Sequence, residues 1–332
     1  MRYHFIAFEE WKSSKERSDY DRHLWTIKNK INNFYCNQDK SVTTSFIDKY
    51  SKELKESFDT LKYIVFCGND NLLDIDYLRR WGNFWPLLIK IYKFDHTESK
   101  ANFNTIVRLL EIISFRVYGI RRRRDTTARD RLYKLAQDFT GNFAMLSNEL
   151  KDIIGQYCSD QDFKARLLSP SFYDDVPSKE QTYLLLKYEN YIRESQQPFD
   201  QKISFSRYGR LSIEHIVPQT PRHIPSWMKD DFSETHLHSL GNLTLDIQSE
   251  NASKSNRDFE HKYLEYYQTS PFRCQRELRE FLNPSSREWD ITSINKRKYK
   301  IVNFAMKHWD YRDIRITETF DFLDWDFGSS EF

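Results

Sequence analysis

Ser212-Ile213-Glu214-His215-Ile216-Val217-Pro218-Gln219, followed by Leu240-Gly241-Asn242-Leu243-Thr244-Leu245 and Glu250-Asn251-Ala252-Ser253-Lys254-Ser255-Asn256, are the stretches whose reading decides the fold. The first is apolar and ends in an acid and an imidazole. Pro218 cannot donate to a sheet ladder, so the predicted strand stops close to His215. The second stretch predicts another strand around Asn242, and the third has the polar residues of a helix start. Neighbours on a strand point to opposite faces, so Glu214 and His215 share one site only if the strand bends or ends there.

The chemistry of these residue types can be set out before any comparison. Breaking a phosphodiester requires a nucleophile made from water, neutralisation of charge on the phosphoryl oxygens, and help for the departing alkoxide. His215 is the natural base, since an unperturbed imidazole titrates near neutrality. Glu214 is the carboxylate beside it, and Asn251 offers an amide oxygen; hard cations such as Mg²⁺ bind through such oxygens. Lys254, three residues further along the same helical face, is placed to meet a phosphate or the leaving group. Asn242 reads as a residue that fixes the backbone or ring of His215. Taken alone, Asn, Ser and Lys at a helix start are ordinary caps and solvated surface. A lone Glu-His pair is equally unspecific. The order of the parts carries the reading: a strand ending in Glu-His, a Gly-Asn strand, then Asn-x-x-Lys opening a helix.

The wording Ile-Glu-His-Ile-Val-Pro-Gln, Leu-Gly-Asn-Leu-Thr-Leu and Asn-x-x-x-Ser-Asn-x-x-Phe-x-x-Lys resembles the HNH, or ββα-metal, endonucleases. Within them it is similar to the C-terminal nuclease module of GmrSD-type modification-dependent (type IV) restriction enzymes of anti-phage defence. The resemblance covers about residues 165 to 315, with Tyr183 to Glu189 similar to the opening helix and Trp289, Ile294 and Arg297 to the closing one. It implies that Glu214 is a metal ligand, His215 the general base, Asn242 the structural asparagine and Asn251 the final ligand. An oxygen ligand at 251 favours Mg²⁺ or Mn²⁺ over Zn²⁺. Gln219, Asn256, Lys262 and Arg297 are then candidate DNA contacts. The implied architecture is mainly α with a small embedded ββα-metal motif. A helical coupling unit would occupy residues 1–165 and an α+β nuclease domain residues 166–332, its core at about 203–264 and its closing helices reaching about 315. Family members carry an N-terminal sensor with an Asp-Gly-Gln-Gln-Arg-like motif linked to nucleotide binding. That motif does not occur here, so the resemblance implies a sensor or NTP-binding partner outside this chain.

Composition is consistent with a cytoplasmic protein. The 332 residues suffice for two domains, and no apolar run approaches membrane-spanning length. Met1 to Phe5 is not followed by a signal-peptide core. Cys36, Cys67, Cys158 and Cys274 are scattered without a Cys-x-x-Cys spacing, which predicts free thiols and excludes a zinc-knuckle arrangement. The net charge is +2, so nucleic-acid contact must come from local patches. Arg121, Arg122, Arg123 and Arg124 form one such run and can grip phosphates; a solvated helix end is the alternative reading. Lys296 to Lys300 make a second cluster. His223, His236 and His238 lie off the motif and read as loop residues.

Elsewhere the periodicity is helical, with Phe58, Leu61 and Val65 forming one apolar stripe, Leu78, Trp81 and Trp85 another, and Phe103, Val107, Leu110 and Ile113 a third. Pro86 should start, kink or end a helix. Ser169 to Lys179 reads as a linker, and Ile203 with Phe205 as a short strand arm. Eight glycines in the whole chain fit helices better than a turn-rich β fold. The functional expectation is a Mg²⁺- or Mn²⁺-dependent endonuclease cutting foreign or modified double-stranded DNA. A non-cleaving DNA-binding subunit of the same shape and an RNA nuclease remain open alternatives.

Overall fold

The computed structural model describes residues 1–9, 22–33, 35–195, 201–204, 211–222, 224–228 and 230–317. Phe205 and His223 lie outside the described residues, as does the segment after 317. The described residues are mainly helical, with one two-stranded antiparallel sheet.

The first half is a stack of helices: α1 (Arg2–Phe8), α2 (His23–Asn33), α3 (Lys40–Phe66), α4 (Asp70–Leu78), α5 (Trp85–Phe94), α6 (Ala101–Ile112), α7 (Arg129–Asp138), α8 (Phe143–Tyr157) and α9 (Asp160–Leu168). Several of their starts are capped by short polar side chains that satisfy otherwise orphaned N–H groups. Asn69, Asn142 and Ser159 each accept a backbone N–H of the following turn. Pro86 sits in the first turn of α5, where its missing N–H costs nothing. Beyond α6 the backbone continues as a π-helical stretch, Ile113–Ile120, every residue of which is buried.

One expected stripe is on the outside. Phe58 and Val65 of α3 are 68% and 51% exposed, and the buried face is Tyr50, Ser57, Thr60 and Ile64. Apolar spacing gives a face; it does not say which face meets the core. The predicted linker contains a short helix, α10 (Phe172–Asp175), before the long α11 (Ser178–Ser195).

The second half begins on α11, whose Tyr183 to Leu186 are buried. Against it lies the hairpin of β1 (Leu211–His215) and β2 (Leu243–Ile247), paired from Leu211↔Ile247 to His215↔Leu243. Leu243 and Leu245, with the partly buried Leu211 and Ile213, join the main core. After the hairpin follow α12 (Gln248–Lys254), α13 (Phe259–Lys262) with a π turn to Tyr267, then α14 (Arg273–Arg276) and α15 (Ile291–His308). All four cysteines are unbridged.

The largest apolar cluster runs from Ile64 to Trp309 and includes residues on both sides of position 165. A polar knot sits inside it. Glu111 of α6 is fully buried and accepts from Tyr183 Oη (2.6 Å) and Trp309 Nε1 (2.9 Å), while Arg108 pairs with its second oxygen. Arg116 donates to the carbonyls of Trp309 (3.2 Å) and Cys158 (2.9 Å) and pairs with Asp160 at 2.8 Å. Buried charge is tolerated there because it is paired and hydrogen-bonded.

Candidate active site

Regular pairing through His215↔Leu243 keeps the strand alternation intact to its last residue. Glu214 and His215 therefore leave β1 on opposite faces, each into a different polar environment. The strand ends at the predicted place without folding the two side chains together.

On one face His215 is enclosed by residues from three separate stretches of the chain. Its Nε2 lies 3.3 Å from His238 Nδ1, and its Nδ1 lies 3.4 Å from Gln219 Nε2. The Tyr173 ring of α10 meets the imidazole edge-on at a centroid distance of 4.6 Å and stacks on His238 at 5.5 Å. Burial, with His238 and Lys262 nearby, pushes the His215 pKa down to about 4. The ring is thus neutral near pH 7 and able to accept a proton, but burial makes it a weaker base than an unperturbed imidazole. Asn242 fixes the surroundings. Its Oδ1 accepts from Val217 N (2.9 Å), and its Nδ2 donates to Val217 O (3.1 Å) and Leu237 O (2.9 Å). One buried amide so clamps the chain just after His215 and just before His238.

On the other face the predicted acid is tied to a lysine. Glu214 Oε1 receives Lys262 Nζ at 2.6 Å and Tyr267 Oη at 3.3 Å. Lys262 is fully buried and also donates to the His215 carbonyl at 2.8 Å. Burial raises the Glu214 pKa and lowers that of Lys262, so desolvation outweighs their mutual attraction in both. Beside them Lys254, also fully buried, donates to both oxygens of Asp246, at 2.8 and 2.6 Å. Strand alternation puts Ser212 and Glu214 on this face, opposite Asp246 and Thr244 of β2.

These contacts correct three expectations. Lys254 does not reach a phosphate: its ammonium is consumed by Asp246, a carboxylate whose position on β2 gave no warning. Lys262 is an internal partner of Glu214 and has no surface to offer DNA. Arg297 is likewise fully buried and donates to the carbonyls of Gly241 (3.1 Å) and Leu243 (2.6 Å), holding α15 to the hairpin. In each case a long basic side chain expected in solvent is buried by the fold. His238, expected as a loop residue, stands against His215, and Tyr173 comes from the stretch expected as linker. No residue pattern around Tyr173 marks it out. Gln219 is exposed and touches His215, while Asn256 is half-buried after α12.

Glu214 and Asn251 can be tested as holders of a divalent cation. Asn251 Nδ2 donates to Ile213 O (3.0 Å) and Ser212 Oγ (3.2 Å), which anchors the amide on β1 beside the Glu214 face. Among the described residues, neither Asn251 Oδ1 nor Glu214 Oε2 has a protein partner. Two unengaged hard oxygens suit Mg²⁺ or Mn²⁺. No group of three His, Cys, Asp or Glu side chains fit to hold a metal occurs among the described residues. Any cation on Glu214 and Asn251 would therefore complete its shell with water and phosphate.

The buried pair makes a measurable prediction. Lys262→Ala strands the Glu214 carboxylate in a low-dielectric pocket and should cost about 3–5 kcal/mol of unfolding free energy, whereas Lys262→Met with Glu214→Gln should recover much of it. Urea unfolding of the three proteins reads this directly. Equal midpoints for Lys262→Ala and the parent would rule the pair out as a structural element.

No curated protein matches the chain. Residues 157–304 match the family model described as GmrSD restriction endonucleases, C-terminal domain, a range that runs from the end of α8 into α15 and contains the hairpin, both histidines and the buried ion pairs. That segment of the chain is thus similar to the C-terminal domain of GmrSD restriction endonucleases, a likeness that supports a nuclease role in restriction systems.

Proposed function

We propose that this chain is a Mg²⁺- or Mn²⁺-dependent DNA endonuclease of HNH type, the nuclease half of a GmrSD-like defence system acting on foreign or modified phage DNA in the cytoplasm. The observation that carries the reading is His215: a neutral imidazole at the end of β1, held by His238 and Gln219 and set in place by the Asn242 clamp. It supplies the base that water needs before it can attack phosphorus. Release of the long Gln219 contact frees Nδ1 without disturbing buried structure, since Gln219 is exposed. His238 keeps the ring oriented from the other nitrogen. Lys262, bonded to both the Glu214 carboxylate and the His215 carbonyl, holds the acid and the base in fixed relation across the strand. A cation on Glu214 and Asn251 would neutralise phosphoryl charge. Because Glu214 and His215 leave β1 on opposite faces, it would serve the phosphate that His215 faces only if the end of β1 rearranges on binding. Residues 1–165 would couple this site to a sensor or NTP-binding partner.

The test is a plasmid nicking assay with Mg²⁺ and with Mn²⁺, run beside an RNA digestion. Cleavage of DNA that stops with chelator and returns with metal supports the reading. Glu214→Gln, which keeps an acceptor for Lys262, should raise the metal concentration needed. Binding without cleavage at any metal concentration would favour the non-cleaving alternative, and preferential digestion of RNA would move the substrate class.

A further inference from the structure

The first half of the chain presents a ridge of cations that ends at the His215 site. The buried π-helical stretch stops at Ile120, and the chain turns sharply: Arg122 adopts the left-handed region (φ 54°), and Arg123 N–H returns to Val117 O at 3.1 Å. The turn leaves Arg122, Arg123 and Arg124 exposed, while Arg121 is pinned to Asp162 at 3.1 Å. A non-glycine residue at positive φ carries strain that the surrounding structure must hold. Arg79, at the end of α4 and also left-handed (φ 55°), and Lys179 of α11 join the same surface. Burial and the neighbouring Arg79 and Arg80 hold the Lys179 pKa below its ordinary value, and Arg122 acts on the adjacent Glu180.

Among the described residues Arg79, Arg122, Arg123, Arg124 and Lys179 make no salt bridge, and Glu180, the carboxylate that acts on Lys179 and Arg122, lies 3.7 Å from Arg80, which also pairs with Asp125. Most other arginines of the first half are paired, as Arg108, Arg116, Arg121 and Arg131 are. Gathered like charges destabilise a fold by self-repulsion unless a polyanion offsets them. Their position gives the direction. Arg122 Nη1 lies 3.4 Å from the carbonyl of Asp175, the last residue of α10, and the same helix carries Tyr173 against His215. One short helix therefore separates the ridge from the base.

We propose that this ridge grips the phosphate backbone of duplex DNA and leads it to the His215 site, which makes the first half of the chain part of the substrate-binding surface. The proposal rests on the nuclease reading and extends it. Guanidinium groups suit phosphate oxygens in fork geometry and carry no sequence information. Surfaces that hold single strands add aromatic platforms for the bases, and Arg121 to Asp125 offers none. A duplex presents its backbone outward and needs only charge.

The test uses full-length protein carrying His215→Ala, so that DNA stays intact, and a short labelled duplex followed by fluorescence anisotropy across a salt series. In that background Arg122→Glu, Arg123→Glu and Arg124→Glu together should weaken binding at least tenfold near 0.1 M salt. The log–log salt slope should fall by roughly 2 to 3, at about 0.9 for each phosphate no longer held. Lys52→Glu, Lys55→Glu and Lys62→Glu on α3 impose the same change in net charge and should cost much less. Arg124→Glu alone, at an exposed side chain, keeps the test open if the triple variant unfolds. Equal affinity and slope in ridge variant and parent overturn the proposal, as does an equal weakening in the α3 control or a weakening confined to single strands or RNA. If the native protein cuts DNA and the ridge variant binds and cuts equally well, the ridge fails and the nuclease reading stands. If binding depends on the ridge but no metal restores cleavage, the outcome is the reverse.

Discussion

His215→Ala should reduce plasmid cleavage by 10²- to 10⁴-fold at saturating Mg²⁺ or Mn²⁺, the ordinary contribution of a positioned general base, equivalent to about 3–5 kcal/mol of transition-state stabilisation. The reason lies in how little else around the site could take over. His238 is within 3.3 Å of the same nitrogen it orients, but its chain position is fixed by the Tyr173 N–H on its carbonyl and by Asn242 on the preceding residue. It cannot slide into the vacated place without breaking that clamp. On the proposed mechanism excess metal should not rescue His215→Ala, which removes the proton acceptor, whereas it should partly rescue Glu214→Gln, which weakens a ligand while keeping an acceptor for Lys262 Nζ. Full activity of His215→Ala in a clean preparation would sink the assignment. A companion unfolding curve separates loss of chemistry from loss of fold.

Gly241→Ala should abolish stable folding of the nuclease half, with a cost at or above about 3 kcal/mol, the upper end of the range for overpacked cores. A Cβ at this position would sit 2.0 Å from the Ile294 carbonyl oxygen and 2.9 Å from its carbon. Both obstacles are backbone of α15, so no rotamer change relieves them. Making room means lifting α15 from the turn before β2 and lengthening the bonds from Arg297 to Gly241 and Leu243. Asn242, the next residue, would move with it. Urea denaturation and near-ultraviolet circular dichroism measure the effect. A native midpoint in Gly241→Ala would mean that α15 is not seated on the hairpin as described.

The hairpin and its following helix are legible in the sequence because strand ends, proline and polar helix starts are local signals. The position of Asn242 is legible too, since a buried amide between two strands has few other uses. The fate of Lys254, Lys262 and Arg297 is not. Periodicity places a residue on a face, but whether that face meets solvent depends on elements distant in sequence: Asp246 lies eight residues from Lys254, and Glu214 lies 48 from Lys262. The α3 stripe fails for the same reason. Phe58 and Val65 fit a helix face well, and the partners that decide burial, α5 and, through His4 on Ser57 and Tyr50, α1, leave that face outside. Tyr173 is invisible because nothing local distinguishes an aromatic in a turn from one that braces an imidazole. The motif wording places the family segment at about 165 to 315, close to the matched 157–304.

The Glu111 knot imposes an order of events on the newborn chain. Its donors Tyr183 and Trp309 lie 72 and 198 residues downstream, and Arg108 must wait equally long for the carbonyl of His308. Helices α1 to α9 can form as they emerge, but a buried carboxylate without its donors is expensive, so their shared core stays incomplete until α15 is made. At roughly 5–20 residues per second, that is a delay of order 10 s or more. A truncated product or a stalled ribosome would then carry the hairpin, both histidines and the arginine ridge without the element that locks them together. If the proposed nuclease reading holds, late closure would be a safeguard: the segment that carries the hairpin becomes well ordered only once α15 has been delivered.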